Sequence, residues 1–446
     1  MLSKTFFAIC ILACIVICPL GGSAGGVFWT DRGASQIKRM NFDGSGLQTV
    51  SLSGAVSTPG SNIRGITVHA GRNYIYWADN GADRLLRARF DGSNSEILYT
   101  VPGGNSFPAD VWLDKSRNDL YWCDQTRRSI QNYAIDLKTM VPSVTNAAPS
   151  GPYFMDVDRQ TGWVYWGDFS GGSIYRSKLD GSDRQILLTG NNNTRGVKVD
   201  SEGQMLYWIN RDDKKVHRCP LSAFGSVPIP LSHPAVQTLY THLDTPHGLA
   251  LDIPARKLYW ADTGTNPGNG TGGQSICRGD FDGSTPVEVL ASGSEPWDVD
   301  LDTSCGSYEE WVKRCFRRDA SPADTLRDAD PDGDRLSNFE EYAFDLPPLH
   351  ASRAGLPRAW LLRASDSDNE FLMVESRRRA GATDVTFITE SSADLLHWHR
   401  HGPGDIRLLE IFVPSLEGGL HEGNVKMMRS TREVPVQFIR TRAGVP

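Results

Sequence analysis

The sequence predicts an all-β chain: a six-bladed β-propeller, then a short helical Asp-rich linker, then a small C-terminal β-sandwich. Three observations carry that reading. An aromatic-Trp-x-Asp tetrapeptide recurs six times, and an alternating, strand-like segment recurs six times in fixed phase with it. The 44 Gly and 25 Pro among 446 residues supply the turns that many short strands need.

The tetrapeptide stands at Phe28–Asp31, Tyr76–Asp79, Tyr121–Asp124, Tyr165–Asp168, Tyr207–Asn210 and Tyr259–Asp262. Successive tryptophans lie 42 to 52 residues apart, the spacing of a blade of about four short strands. After each tetrapeptide come a polar loop, a further strand and often Asp-Gly-Ser, as in Asp43-Gly44-Ser45 and Asp180-Gly181-Ser182. Asp-Gly marks a tight hairpin, because Gly accepts positive φ and the Asp carboxylate bonds the local backbone.

The alternating segments are Arg64–His69, Ala109–Asp114, Tyr153–Asp158, Arg195–Asp200, His247–Asp252 and Trp297–Asp302. One parity is apolar, as in Ile66/Val68 and Val111/Leu113. The first five each precede a tetrapeptide; the sixth follows the last one, and the first tetrapeptide has none ahead of it. A closed ring resolves this, with Trp297–Asp302 completing the blade begun at Phe28–Asp31. Closure also removes the exposed sheet edge of an open array.

These repeats resemble the YWTD, or class B, repeats of the low-density-lipoprotein receptor family over residues 25–302. The resemblance implies that the motif residues are scaffold, with the aromatic pair packing between blades and the Asp tying strands together. It implies too that partners dock on the face carrying the heads of the innermost strands. The cysteine-rich modules that flank such propellers in animal receptors are absent, so endocytic receptor function does not carry over. Asn210 in place of Asp, and Cys123, Gly167 and Ile209 at the third position, depart from the motif.

Residues 303–350 change character. Tyr308–Phe316 has helical spacing, and an acidic run from Asp328 leads to Ser337, an N-cap for a second helix. Counted from Asp330, the run has the ligand spacing of an EF-hand loop. Asp330, Asp332 and Asp334 occupy positions one, three and five; Leu336 would offer its carbonyl, Asn338 would act directly or through water, and Glu341 would close the site. The expected cofactor is a structural calcium ion. Arg335 stands where such loops carry Gly, which weighs against it; a plain acidic linker is the competing reading. The junction and the tail 351–446, with Phe371–Arg379, Asp384–Trp398 and Gln437–Arg442 as strand-like runs, resemble those of secreted proteins of the Verrucomicrobia and related bacteria.

Residues 1–24 read as a secretory signal peptide: Lys4, an apolar run from Phe6 to Leu20, then Gly22-Ser23-Ala24. The run is shorter than the ~20 residues that span a bilayer. Export to the medium, periplasm or cell surface follows; a lipid on Cys14 is a further reading. Five cysteines lie beyond the signal segment, an odd number that excludes a complete disulfide framework, with Cys305 and Cys315 the only close pair. A formal charge of −7 gives no reason to expect nucleic acid.

Apart from Gly21–Gly25 at the expected cleavage site, the chain lacks a Gly-x-Ser-x-Gly motif, and it lacks a His-Glu-x-x-His motif and a phosphate loop. A non-catalytic binding role for an extracellular or envelope protein or glycan is therefore the leading expectation. Its candidate contacts are Arg64, Tyr153, Arg195, His247 and Trp297, which head five innermost strands and have the composition of an interaction hot spot. The alternative for those residues is a plug of the channel. Two other functions compete: a metal-centred propeller hydrolase of lactonase or esterase type, using Asp110, Asp156, Asp298, Asp300 and Lys198, and a structural envelope or matrix protein.

Overall fold

Successive residues of a strand point to opposite faces of its sheet, so Tyr and Trp side by side in one strand serve two different cores. The computed structural model shows this six times over. It describes residues 25–53, 62–144, 151–225, 227–264, 274–293, 295–352, 358–363, 370–379, 384–392, 396, 399–401, 409–414, 421–430 and 438–444. The expected signal segment, 1–24, lies outside the described residues.

Six antiparallel sheets form the propeller. Their innermost strands are Pro296–Asp302 in blade 1, Ile63–His69 in blade 2, Pro108–Asp114 in blade 3, Pro152–Asp158 in blade 4, Thr194–Asp200 in blade 5 and Pro246–Asp252 in blade 6. The tetrapeptide strand is second in every blade, and two outer strands follow. A short strand, Ile229–Pro230, adds in parallel to the edge of blade 4. Each innermost strand lies against those of both neighbouring blades, which closes the ring. Blade 1 joins the two ends of the propeller sequence, with Phe28 opposite Asp300 and Trp29 opposite Val299. The closure expected from the odd copy of the innermost strand is thus the one observed.

All six motif tryptophans are buried. The aromatic before each one packs into the core of the next blade. Phe28 joins the cluster of Trp77, Tyr76 that of Trp122, and Tyr121 that of Trp166. Tyr165 joins the cluster of Trp208, Tyr207 that of Trp260, and Tyr259 that of Trp29. The blades are glued by these shared apolar clusters, whose burial drives the assembly.

The motif carboxylate closes the polar turn that follows it and holds the entry to the innermost strand. Asp79 accepts from the Asn62 and Gly81 amides at 3.2 and 3.0 Å, and Asp262 from the Asp244 and Thr245 amides at 2.9 and 2.7 Å. Asn210 keeps one such bond, accepting from Asp213 N at 3.1 Å. At the Asp-Gly turns the expected chemistry is present: Asp43 accepts from the Ser45 amide and hydroxyl, and Gly44 has φ of +80°.

The linker folds against the propeller. Helix α1, Tyr308–Cys315, is N-capped by Ser307, and α2, Asn338–Phe344, begins with a capping box between Ser337 and Glu340. Arg278 of blade 6 donates to the carbonyls of Lys313, Arg314 and Phe316, satisfying the otherwise orphaned end of α1. Tyr308, Trp311, Phe339 and Tyr342 form an aromatic cluster between the helices, with the Cys305 and Cys315 thiols buried in it. Past Ser352 the described strands form two antiparallel sheets. One contains Arg358–Arg363, Glu370–Arg379, His421–Ser430 and Leu409–Pro414; the other contains His399–His401, Thr386–Ser392 and Phe438–Gly444.

Candidate functional site

The six innermost strands start on one face of the ring, and the side chains of their second residues converge on its axis. The tetrapeptide turn lies on the same face in every blade. Its next residue donates its amide to the residue just ahead of the innermost strand: Arg32 to Glu295, Asn80 to Asn62, Gln125 to Phe107, Phe169 to Gly151, Arg211 to Asn193 and Thr263 to Thr245.

Convergence decides the fate of Arg64, Tyr153, Arg195, His247 and Trp297. The structure brings all five together, but as a packed plug, each between 2 and 6% exposed. His247 stacks on Trp297 with centroids 3.8 Å apart, and the Arg64 guanidinium lies 3.9 Å from the same ring. Arg195 covers Tyr153 at 4.2 Å, and Arg64 Nη1 donates to the Tyr153 hydroxyl at 3.4 Å. Tyr153 and Trp297, from opposite blades, meet across the axis at 6.4 Å. An open ring of anchors is therefore corrected to a closed floor: bulky groups sent to one axis bury one another.

That floor is cationic. Neither Arg64 nor Arg195 has an ion-pair partner among the described residues, and the Nε of each is buried without a hydrogen bond. Burial lowers the Arg195 guanidinium to about 10. Burial, and then Arg195, Arg211, Arg64 and Arg32, hold the His247 imidazole well below its ordinary range. Above the floor the accessible groups are Arg32, Phe107, Phe169 and Arg211, all half-buried. Arg32 pairs with Glu295 at 3.1 Å and lies 5.0 Å from the Trp297 ring; Arg211 pairs with Asp212 at 3.1 Å. Sequence reasoning passed over these four. Three directly follow a tetrapeptide and Phe107 directly precedes an innermost strand, so position in the repeat was the available signal.

Deeper in the channel the carboxylates proposed for hydrolysis are interblade staples. Asp298 accepts from Ile66 N at 2.9 Å, Asp300 from Val68 N at 2.8 Å, Asp110 from Met155 N at 2.9 Å and Asp156 from Val199 N at 2.8 Å. Each bond reaches the innermost strand of the next blade. Burial raises Asp110 to about 6 against the pull of Lys198, and burial with Asp110 nearby pushes Asp298 well above the carboxylate range. Burial alone would lower the Lys198 ammonium, but Asp156, Asp110, Asp298 and Asp300 together raise it. Gly65 and Gly248 stand where a Cβ would run into Asp110 or Asp298. At the far end a cavity of about 220 Å³ is lined by all six blades, including Trp112, Asp156, Lys198 and Asp300.

In the linker loop, Asp330, Asp332 and Asp334 present oxygens all within 4.8 Å of one another. Glu341, 1% exposed, leaves both carboxylate oxygens without a hydrogen bond. Burial, then Asp332, Asp334 and Asp330, raise its pKa to about 9. The Asn338 side chain donates its NH2 to the Asp324 and Leu326 carbonyls at 2.7 and 2.8 Å, and its Oδ1 is buried without a hydrogen bond. Leu336 follows the bend, its amide donating to Asp334 at 2.8 Å.

No protein-family model matches the chain. It is 28% identical over 199 residues to low-density lipoprotein receptor-related protein 1 of Pyricularia oryzae, covering 39% of this chain. The match spans 62% of that relative's length. Among solved structures, a chain of the nidogen/laminin complex aligns with a TM-score of 0.51 at 17% identity, over 63% of this chain and 99% of that one. A gluconolactonase of Xanthomonas campestris aligns with a TM-score of 0.42 at 15% identity, over 60% of this chain and 84% of that one. Described helices include none long and apolar enough to cross a membrane. The chain is a six-bladed propeller of YWTD type, similar in sequence to an LDL-receptor-related protein and in fold to a chain of the nidogen/laminin complex.

Proposed function

We propose that the chain is a secreted binding protein that captures an extracellular or envelope protein on the face where the innermost strands begin. Arg32, Phe107, Phe169 and Arg211 would make the contacts, over a rigid floor of Arg64, Tyr153, Arg195, His247 and Trp297. The observation that carries this is the gathering of four arginines at one mouth, two of them buried with no ion-pair partner among the described residues. Desolvated guanidiniums held by aromatic rings favour a carboxylate arriving from outside, so the partner offers an acidic segment. Half-exposed Phe and Arg around a preformed floor have the composition of an interface centre. The solved complex of nidogen with laminin supports a protein partner for a propeller of this fold. The expected signal segment fits export.

The test is capture from culture medium or envelope extract by the mature protein and by an Arg32→Glu/Arg211→Glu variant. Loss of capture at unchanged melting temperature supports the reading. Equal capture by both proteins removes this face from it. The cavity lined by Asp156, Asp300 and Lys198 motivates the hydrolase as second reading; metal-dependent turnover of lactones or aryl esters by the parent protein would replace binding with catalysis.

A further inference from the structure

The linker carries a group that its own fold leaves unsatisfied. Glu341 lies on α2, buried, with both oxygens unbonded, seven residues beyond the Asp330, Asp332 and Asp334 cluster. A buried carboxylate with no partner is strongly unfavourable unless a proton or a cation neutralises it. One proton serves a single oxygen of one group. Here Asp332 also leaves an oxygen buried and unbonded, and the three aspartates each present an oxygen within 4.8 Å of the others. A multivalent cation answers all four carboxylates at once.

We infer that Asp330, Asp332, Asp334 and Glu341 hold one calcium ion, and that this ion fastens the linker between the propeller and the C-terminal region. The donors are all oxygen, which selects a hard cation, and a carboxylate-rich set without an imposed octahedron suits calcium above magnesium. The spacing adds the Leu336 carbonyl. The Asn338 side-chain NH2 is held by the 324 and 326 carbonyls while its Oδ1 is buried without a hydrogen bond, so that oxygen remains a candidate ligand, directly or through water.

What the ion would fasten is visible around it. Asp334 accepts from the Ser352 amide at 3.2 Å, so the loop grips the start of the C-terminal region. Tyr342, one residue after Glu341, packs against Trp311 of α1 and donates its hydroxyl to Asp384 at 2.6 Å. Asp384 also accepts from the Tyr308 amide and pairs with Arg327. Joining the loop to α2 therefore sets α2 against α1 on one side and Asp384 on the other. Calcium at this loop is independent of the partner that the propeller takes.

The experiment uses the full mature chain, stripped with EDTA and titrated with calcium chloride by calorimetry, alongside limited proteolysis with and without the ion. One site is expected, with cleavage beyond residue 303 slowed at least tenfold by calcium. Glu341→Gln should bind at least tenfold more weakly and lose the protection, while the ion-free propeller melts as in the parent. Asp330→Asn, at an exposed position, gives the same answer should Glu341→Gln fail to fold. No heat and no protection in the parent, or parent-like binding in both variants, would overturn the inference.

Discussion

Arg314 of α1 buries its guanidinium against Asp252 at the tail of the blade 6 innermost strand, with two bonds of 2.5 and 2.6 Å. Both side chains are wholly inaccessible, and Asp345 stands 3.9 Å from the same guanidinium. The linker is thus anchored to the propeller rather than trailing from it. Removing one partner of a buried pair strands the other charge, which costs about 3–5 kcal/mol. Arg314→Ala should lower stability by that amount in urea titration, and Arg314→Met with Asp252→Leu should recover part of it. A loss below about 1 kcal/mol for the single variant would mean that the pair is hydrated.

The plug makes a second prediction about where binding and stability separate. Trp297 is buried beneath Arg32 and between Arg64 and His247, so Trp297→Ala should cost about 3–5 kcal/mol as a cavity-forming change. Arg32→Ala removes a half-exposed ion pair and one contact on the outer face of Trp297, leaving no buried cavity, and should stay within about 1 kcal/mol of the parent. Denaturant melts of the two variants check this; equal effects would contradict the arrangement.

His247 gives the propeller an acid-side sensitivity. Its folded pKa is depressed well below 6.5 by burial and the surrounding arginines, so the unfolded chain takes up the proton first. Its contribution is fully present above about pH 6.5 and is lost as pH falls below that value. Stability should therefore fall between pH 7 and pH 5 as the unfolded chain takes up this proton. His247→Gln should flatten the stability profile over that window; an unchanged slope would place the sensitivity elsewhere.

Arg335 holds φ of +75° at the sixth position of the Asp-rich loop, where calcium loops use Gly. A side chain in the left-handed region costs about 1 kcal/mol, which Arg335→Gly relieves. The variant should bind calcium more tightly than the parent in calorimetry, by about fivefold if the strain is confined to the ion-bound loop. Weaker binding would show that the arginine assists the loop.

Much of the fold was legible because it is written in short-range chemistry. Asp43-Gly44-Ser45 specifies a turn by itself, and Ser337 with Glu340 caps α2 without help from the rest of the chain. The site was legible only as a set of positions. Arg64, Tyr153, Arg195, His247 and Trp297 are equivalent in the repeat, yet equivalence alone does not say whether five side chains surround an opening or fill it.

The sequence by itself determined the repeat, its strands and turns, the ring closure at Phe28 and Trp297, and the spacing of Asp330 to Glu341. Those follow from alternation, period and local dihedral preference, which need no knowledge of distant neighbours. Only the tertiary structure decided that the mouth is plugged, that Asp110 and Asp298 staple blades, that Asn338 serves the 324–326 turn, and that Arg314 meets Asp252 from 62 residues away. These outcomes depend on which side chains come to share one small volume. There excluded volume and the need to satisfy buried charge select the contacts, and neither is expressed in the local pattern of residues.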